Sequence, residues 1–122
     1  MKRIEDSRIL IIEDAELAIS LIYIFEDLGV REVKRISSIT ESKMIDINSY
    51  DLILMDLNLI DSKKPDEVFK HISSRCDLDK IVVASGIDDL RLWSYDRKVR
   101  CLPKPFQYCE LIRLLNGFFI LD

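Results

Sequence analysis

The sequence predicts an α/β domain built on a doubly wound parallel sheet of five strands. Three observations lead there. Short apolar runs rich in branched residues recur along the chain, and helical periodicity follows each one. The purest of these runs show no polar alternation, the pattern of strands covered on both faces. The 122 residues fit one compact domain, 1–122, since domains are commonest at about 100–150 residues and a second core has no room.

The elements follow in order. Arg8–Ile12 reads as a buried strand ended by Glu13 and Asp14. Leu17, Leu21, Ile24, Phe25 and Leu28 then recur at helical spacing, with Asp14 able to cap the start and Gly29 to supply a left-handed residue at the end. Glu32–Ile36 is interrupted by charge, as edge strands are, and a helix is expected over 40–47. Leu52–Met55 is the second pure run, ended by Asp56, and a helix over 65–74 opens with Pro65 at a favoured first-turn position. Ile81–Ala84 is the third pure run, ended by Ser85 and Gly86. A helix over 88–96 carries Trp93 and Tyr95, where core packing and a partner surface are equally good readings. Val99–Leu102 is a second charged edge strand, and Tyr108, Leu111, Ile112, Leu115 and Phe119 form the stripe of a last helix.

Strands alternating with helices require right-handed crossovers and helices on both faces. With the three purest runs inside, the strand order is 2-1-3-4-5, a flavodoxin-like (βα)5 arrangement, and ligands bind beyond the carboxyl ends of such strands. The residues that end the strands therefore matter most.

Composition narrows the function classes. Lys plus Arg number 18 and Asp plus Glu 22, for a net charge of −4 with the basic residues scattered, so no patch tracks a phosphate backbone and direct nucleic-acid binding is not expected. The longest apolar runs fall well short of the ~20 residues of a membrane helix, and Glu5, Asp6 and Arg8 interrupt any signal-like start. Cys76, Cys101 and Cys109 form no C-x-x-C pair and are expected to act as small buried or half-buried hydrophobes in a reducing cytoplasm.

The strand ends gather Glu13, Asp14, Asp56, Ser85 and Lys104. No hydrophobic pattern requires these residues there. Carboxylates that converge raise one another's pKa or recruit a hard cation, and oxygen ligands of this kind suit Mg²⁺. Lys104 and the Ser85 hydroxyl are the groups to neutralise and hydrogen-bond a phosphoryl oxygen. Each residue alone has a plain structural role as a cap, a turn or a solvated charge; four strand ends with complementary chemistry argue for a site.

Ile9-Leu10-Ile11-Ile12-Glu13-Asp14, Asp51-Leu52-Ile53-Leu54-Met55-Asp56-Leu57-Asn58, Val82-Val83-Ala84-Ser85-Gly86 and Lys104-Pro105-Phe106 together resemble the receiver domains of two-component response regulators. The resemblance covers essentially the whole chain. It implies that Asp56 accepts a phosphoryl group from a histidine kinase or histidine phosphotransfer protein. It also implies Mg²⁺ held by Asp14, Asp56 and the backbone carbonyl of Asn58, with Glu13 acting through water. Ser85 becomes the switch hydroxyl that turns toward the phosphoryl group, Lys104 the ion-pair partner of that group, and the Lys104–Pro105 bond is expected to be cis. Asn58 and Ile87 flank the approach of hydrolytic water.

The departures from the family pattern fall outside these groups. Ile60 and Lys64 stand where relatives carry Pro and Gly, so this loop is expected to take another path. Cys101 stands at the position of the usual aromatic switch residue, which throws the weight of switching onto the Ser85 loop. Two other functions compete. A degenerate receiver acting only as a docking module is one; an aspartyl-phosphate-forming phosphohydrolase is the other, disfavoured because Asn58 stands where such enzymes carry an acid–base Asp. The downstream partner is another protein or an output domain outside this segment. The Phe118–Leu121 end suits capping the core, crossing into a homodimer or leading to that output domain.

Overall fold

The computed structural model describes residues 1–62 and 64–122. Five parallel strands, β2 (Arg8–Ile12), β3 (Glu32–Ile36), β4 (Leu52–Met55), β5 (Ile81–Ser85) and β6 (Arg100–Pro103), form one sheet in the order β3-β2-β4-β5-β6. Counted along the chain, that is the expected 2-1-3-4-5. β2, β4 and β5 are buried almost throughout, whereas β3 and β6 expose residues such as Glu32 and Arg100.

The side-chain alternation of the strands divides the core in two. Ile9, Ile11, Leu52, Leu54, Val82 and Ala84 pack with Ala18, Leu21 and Phe25 of α1 (Ala15–Asp27) and with Leu111 and Leu115 of α5 (Tyr108–Asn116). Leu10, Ile12, Ile53, Met55, Ile81 and Val83 pack on the opposite face. There they meet Ile39 of α2 (Ile39–Ser42), Val68 and Ile72 of α3 (Pro65–Ser73) and Leu90 of α4 (Leu90–Arg97).

α1 has the caps its sequence implies. Asp14 accepts from the Leu17 N–H at its start. At its end Gly29 adopts φ +82°, while the Val30 and Gly29 N–H groups reach back to the Phe25 and Glu26 carbonyls, both at 3.0 Å.

Three expectations are corrected. The helix expected over 40–47 is a single turn, Ile39–Ser42, followed by turns and a 3₁₀ segment at Ile47–Ser49. Ser42 and Ser49 hydroxyls bond to the Ile39 and Asp46 carbonyls, the local competition that keeps short polar side chains out of helix interiors. The last helix stops at Asn116, and Phe119 belongs instead to a short strand, β7 (Phe119–Ile120). β7 pairs in parallel with β1 (Lys2–Arg3), with Lys2 opposite Phe119 and Arg3 opposite Ile120. Phe119 is still buried among the α1 and α5 side chains, so the apolar spacing marked the right core residue through the wrong element. Cys109, finally, is exposed, while Cys76 and Cys101 are half-buried.

Candidate functional site

β2, β4 and β6 deliver three charged residues to one edge because the hydrogen-bonded ladder runs one residue past each strand. The Glu13 N–H bonds to the Ile36 carbonyl at 3.1 Å, the Asp56 N–H to Ile12 at 2.8 Å, and the Lys104 N–H to Ser85 at 2.9 Å. Backbone pairing therefore fixes the Cα positions before any side-chain interaction forms. The Lys104–Pro105 peptide is cis, as expected.

Lys104 Nζ lies 2.9 Å from Glu13 Oε2 and 3.3 Å from Asp56 Oδ2. Glu13 is 1% exposed and Asp56 8%. Burial pushes the Glu13 carboxyl up to about 7; the Lys104 ammonium opposes that rise and the nearby Asp56 charge adds to it. The other Asp56 oxygen, Oδ1, accepts from the Leu57 N–H at 2.7 Å and the Asn58 N–H at 3.3 Å. One carboxylate oxygen thus faces backbone donors and the other faces an ammonium.

Ser85 is fully buried at the end of β5, and its hydroxyl accepts from the Ile87 N–H at 3.2 Å. The loop after β5 is thereby tied to the Ser85 hydroxyl. At Gly86 an added Cβ would meet nothing nearer than Lys104 Cβ at 4.0 Å, so packing alone does not demand glycine there. A groove lined by Leu17, Lys104, Pro105 and Phe106 opens beside the ammonium.

Glu13, Asp56 and Lys104 are thus in direct contact, with Ser85 one backbone hydrogen bond from Lys104. Asp14 is exposed and bound to the first turn of α1, with its Oδ1 3.4 Å from the Leu17 nitrogen. Among the described residues no three His, Cys, Asp or Glu side chains converge as a metal cage. Mg²⁺ does not need one, since it is held by one or two carboxylates and keeps several waters. Cys101 is half-buried on β6 and packs toward the α3–α4 face.

Sequence reasoning missed Asp61. Its Oδ1 accepts from the Ile39 N–H at 2.9 Å and its Oδ2 from the Thr40 N–H and hydroxyl at 3.0 and 2.9 Å. The loop that follows Asp56 is thereby fastened to the start of α2, and a bridge between Leu59 and Ser62 tightens it further. Ile60 is 80% exposed at its tip. An Asp between an apolar residue and a Ser reads only as a turn; the separation of 21 positions between Thr40 and Asp61 left no local signal.

The fold is that of response regulator receiver domains. The HemR receiver domain from Leptospira biflexa is 26% identical, with a TM-score of 0.76 over 96% of this chain and 98% of its own. A CheY-like receiver domain protein from Methanospirillum hungatei JF-1 is 22% identical, with a TM-score of 0.74 over 92% of both chains. The receiver domain of the sensor histidine kinase PA1611 from Pseudomonas aeruginosa PAO1, solved with a magnesium ion coordinated in its active-site cleft, is 22% identical. Its TM-score is 0.69 over 93% of this chain and 97% of that one. No protein-family profile matches the sequence, and no curated protein matches it. No helix is long and apolar enough to cross a membrane among the described residues.

Proposed function

We propose that this domain is a phosphoacceptor switch, in which Asp56 receives a phosphoryl group from a histidine kinase or histidine phosphotransfer protein in a Mg²⁺-dependent reaction. The observation that carries this reading is Lys104 Nζ bridging two buried carboxylates, Glu13 and Asp56, at the carboxyl edge of the sheet. A structural ion pair needs one acid. The second carboxyl is buried at a cost, visible in the raised Glu13 pKa, and sites of this kind cluster where charge is handled chemically.

The donor set suits a hard cation. Glu13 and Asp56 share one ammonium, with Asp14 exposed at the next position after Glu13, and excess carboxylate is what Mg²⁺ relieves. Asp14, Asp56 and the Asn58 carbonyl are the proposed ligands, with Glu13 acting through water. When bound, the ion neutralises phosphoryl oxygens and so lowers the charge barrier to attack. A carboxylate oxygen of Asp56 forms the new O–P bond as the N–P bond of a phosphohistidine breaks, and the imidazole nitrogen leaves with the bonding electron pair. Lys104 offsets charge on the transferred group, and Ser85 turns from the Ile87 N–H toward a phosphoryl oxygen. The domain catalyses only its own phosphorylation and dephosphorylation, and the changed surface is read by a partner protein or output domain.

Incubation with acetyl phosphate, with and without Mg²⁺, followed by intact-mass measurement tests this. One phosphoryl group should appear only with Mg²⁺ and should vanish in Asp56→Asn. Phosphorylation that ignores a chelator or survives Asp56→Asn sinks the assignment. Failure to bind Mg²⁺ would leave a docking module, and turnover of small phosphate esters would indicate a phosphohydrolase. Asp14→Ala should weaken Mg²⁺ binding more than Glu13→Ala, because a direct ligand outweighs one acting through water.

A further inference from the structure

α4 is held unlike the other helices. Its inward stripe is Leu90, Trp93, Ser94 and Arg97, of which only Leu90 and Ser94 are buried. Leu90 is the one aliphatic residue in that stripe, and the buried Ser94 hydroxyl has no hydrogen-bond partner. Both ends of the helix are left-handed residues that are not glycine, Asp89 and Lys98, each with φ 56°. Asp89 gives no side-chain cap. Such residues lie in a sparsely populated region of backbone space and persist only when their surroundings enforce it.

The Lys98 turn is closed locally by the Val99 N–H on the Ser94 carbonyl at 3.1 Å, and beyond it α4 shares a cluster with α3. Asp66 Oδ1 accepts from the Trp93 indole N–H at 3.0 Å and from Arg97 Nη2. The Arg97 guanidinium stacks 4.2 Å from the centre of the Trp93 ring and also donates to the Trp93 carbonyl at 3.0 Å. The Trp93 ring meets Phe69 of α3 edge to face at 5.1 Å. One carboxylate on α3 therefore collects both long side chains by which α4 is anchored. The helix begins after the Gly86–Asp89 loop, whose Ile87 N–H is the donor that occupies Ser85.

We infer that Asp66, Trp93 and Arg97 form a latch that holds α4 against α3 and sets how readily α4 is displaced when the Ser85 loop rearranges. This rests on the phosphoacceptor reading for its trigger, but the latch itself belongs to the unmodified domain. Redirecting the Ser85 hydroxyl leaves the Ile87 N–H without its acceptor and loosens the loop. Whether α4 then follows depends on the bonds to Asp66, because little aliphatic burial opposes its movement. An ion pair whose carboxylate is 72% exposed is weak enough to open and, with the indole, directional enough to define one closed state.

The chain has one tryptophan, so Trp93 reports on its own latch. Asp66→Ala, Asp66→Asn and Arg97→Met are compared with the wild type, without phosphodonor, by tryptophan emission, acrylamide quenching and amide exchange of α4. Asp66→Ala should raise quenching and speed α4 exchange on the order of tenfold while α5 exchange stays as in the wild type. Asp66→Asn, which keeps an acceptor for the indole, should fall between, and Arg97→Met should resemble Asp66→Ala. Unchanged Trp93 emission and α4 exchange in both Asp66→Ala and Arg97→Met would overturn the latch. With acetyl phosphate and Mg²⁺, the wild type should show a change in Trp93 emission that shrinks to less than half in Asp66→Ala at equal phosphorylation by mass. An undiminished change would overturn it. A wild type that never gains a phosphoryl group defeats the phosphoacceptor reading, while the exchange data from untreated protein still decide the latch.

Discussion

Glu13→Gln separates the stability of this domain from its chemistry. Glu13 is 1% exposed, and burial raises its carboxyl from the ordinary 4.5 to about 7. Because the folded value lies above the unfolded one, the native state binds the Glu13 proton more tightly. That contribution to stability is complete below about pH 4.5, fades as pH rises, and is lost above about 7. At about 1.4 kcal/mol for each pH unit the full loss is roughly 3 kcal/mol. Lys104, the charge that faces Glu13, is 23% exposed, so water screens the site and about 2 kcal/mol is the expected value. Glutamine has nearly the same shape and never ionises. In chelator-containing buffer, Glu13→Gln should match the wild type at pH 4.5, gain on it between pH 4.5 and 7, and stay about 2 kcal/mol more stable at pH 8. Urea unfolding at four pH values measures this, with equal slopes required so that midpoints compare stability alone. A stability difference that does not change with pH would refute the reasoning, since it would mean Glu13 is buried without an electrostatic penalty.

Asp61→Ala should free the start of α2 and the 57–62 loop, seen as faster exchange of the Ile39 and Thr40 amides. The Ile39 and Thr40 N–H groups hold the Asp61 carboxyl below its usual range, so its contribution is present above the unfolded value and lost as pH falls through the lower folded one; the exchange difference should shrink in acid. Gly29→Ala places a Cβ at φ +82° and 3.4 Å from Glu5 Cγ, and should lower stability by about 1–2 kcal/mol in thermal unfolding. Ile87→Glu should speed loss of the phosphoryl group after the donor is removed, because a carboxylate orients water where the branched side chain offers no hydrogen bond; equal decay rates would remove the shielding role of Ile87. Ser85→Ala should uncouple phosphorylation from change in α4 whereas Cys101→Ala should change little, read by amide NMR shifts on beryllofluoride addition.

The sequence by itself determined the strands and their order, because burial on both faces demands unbroken apolar runs such as Ile9–Ile12 and Ile81–Ala84 and charge marks the edges. It also determined the chemical set at the carboxyl edge. Glu13, Asp56, Ser85 and Lys104 each sit at the end of a strand, and ladder pairing brings such ends together whatever the side chains are. Helix lengths were less legible. Periodicity marks which residues go inward, but where Ser, Asp and Asn crowd after α2, or Gly117 follows α5, local hydrogen bonds and turns end the helix early. Only the tertiary structure decided the pairing of β1 with β7, the fastening of the Asp56 loop by Asp61, and the collection of Trp93 and Arg97 by Asp66. These contacts join residues 21 to 117 positions apart with no repeating pattern. Periodicity records which face of an element is buried; which polar group it meets there depends on how the elements pack, and packing is written in no single segment.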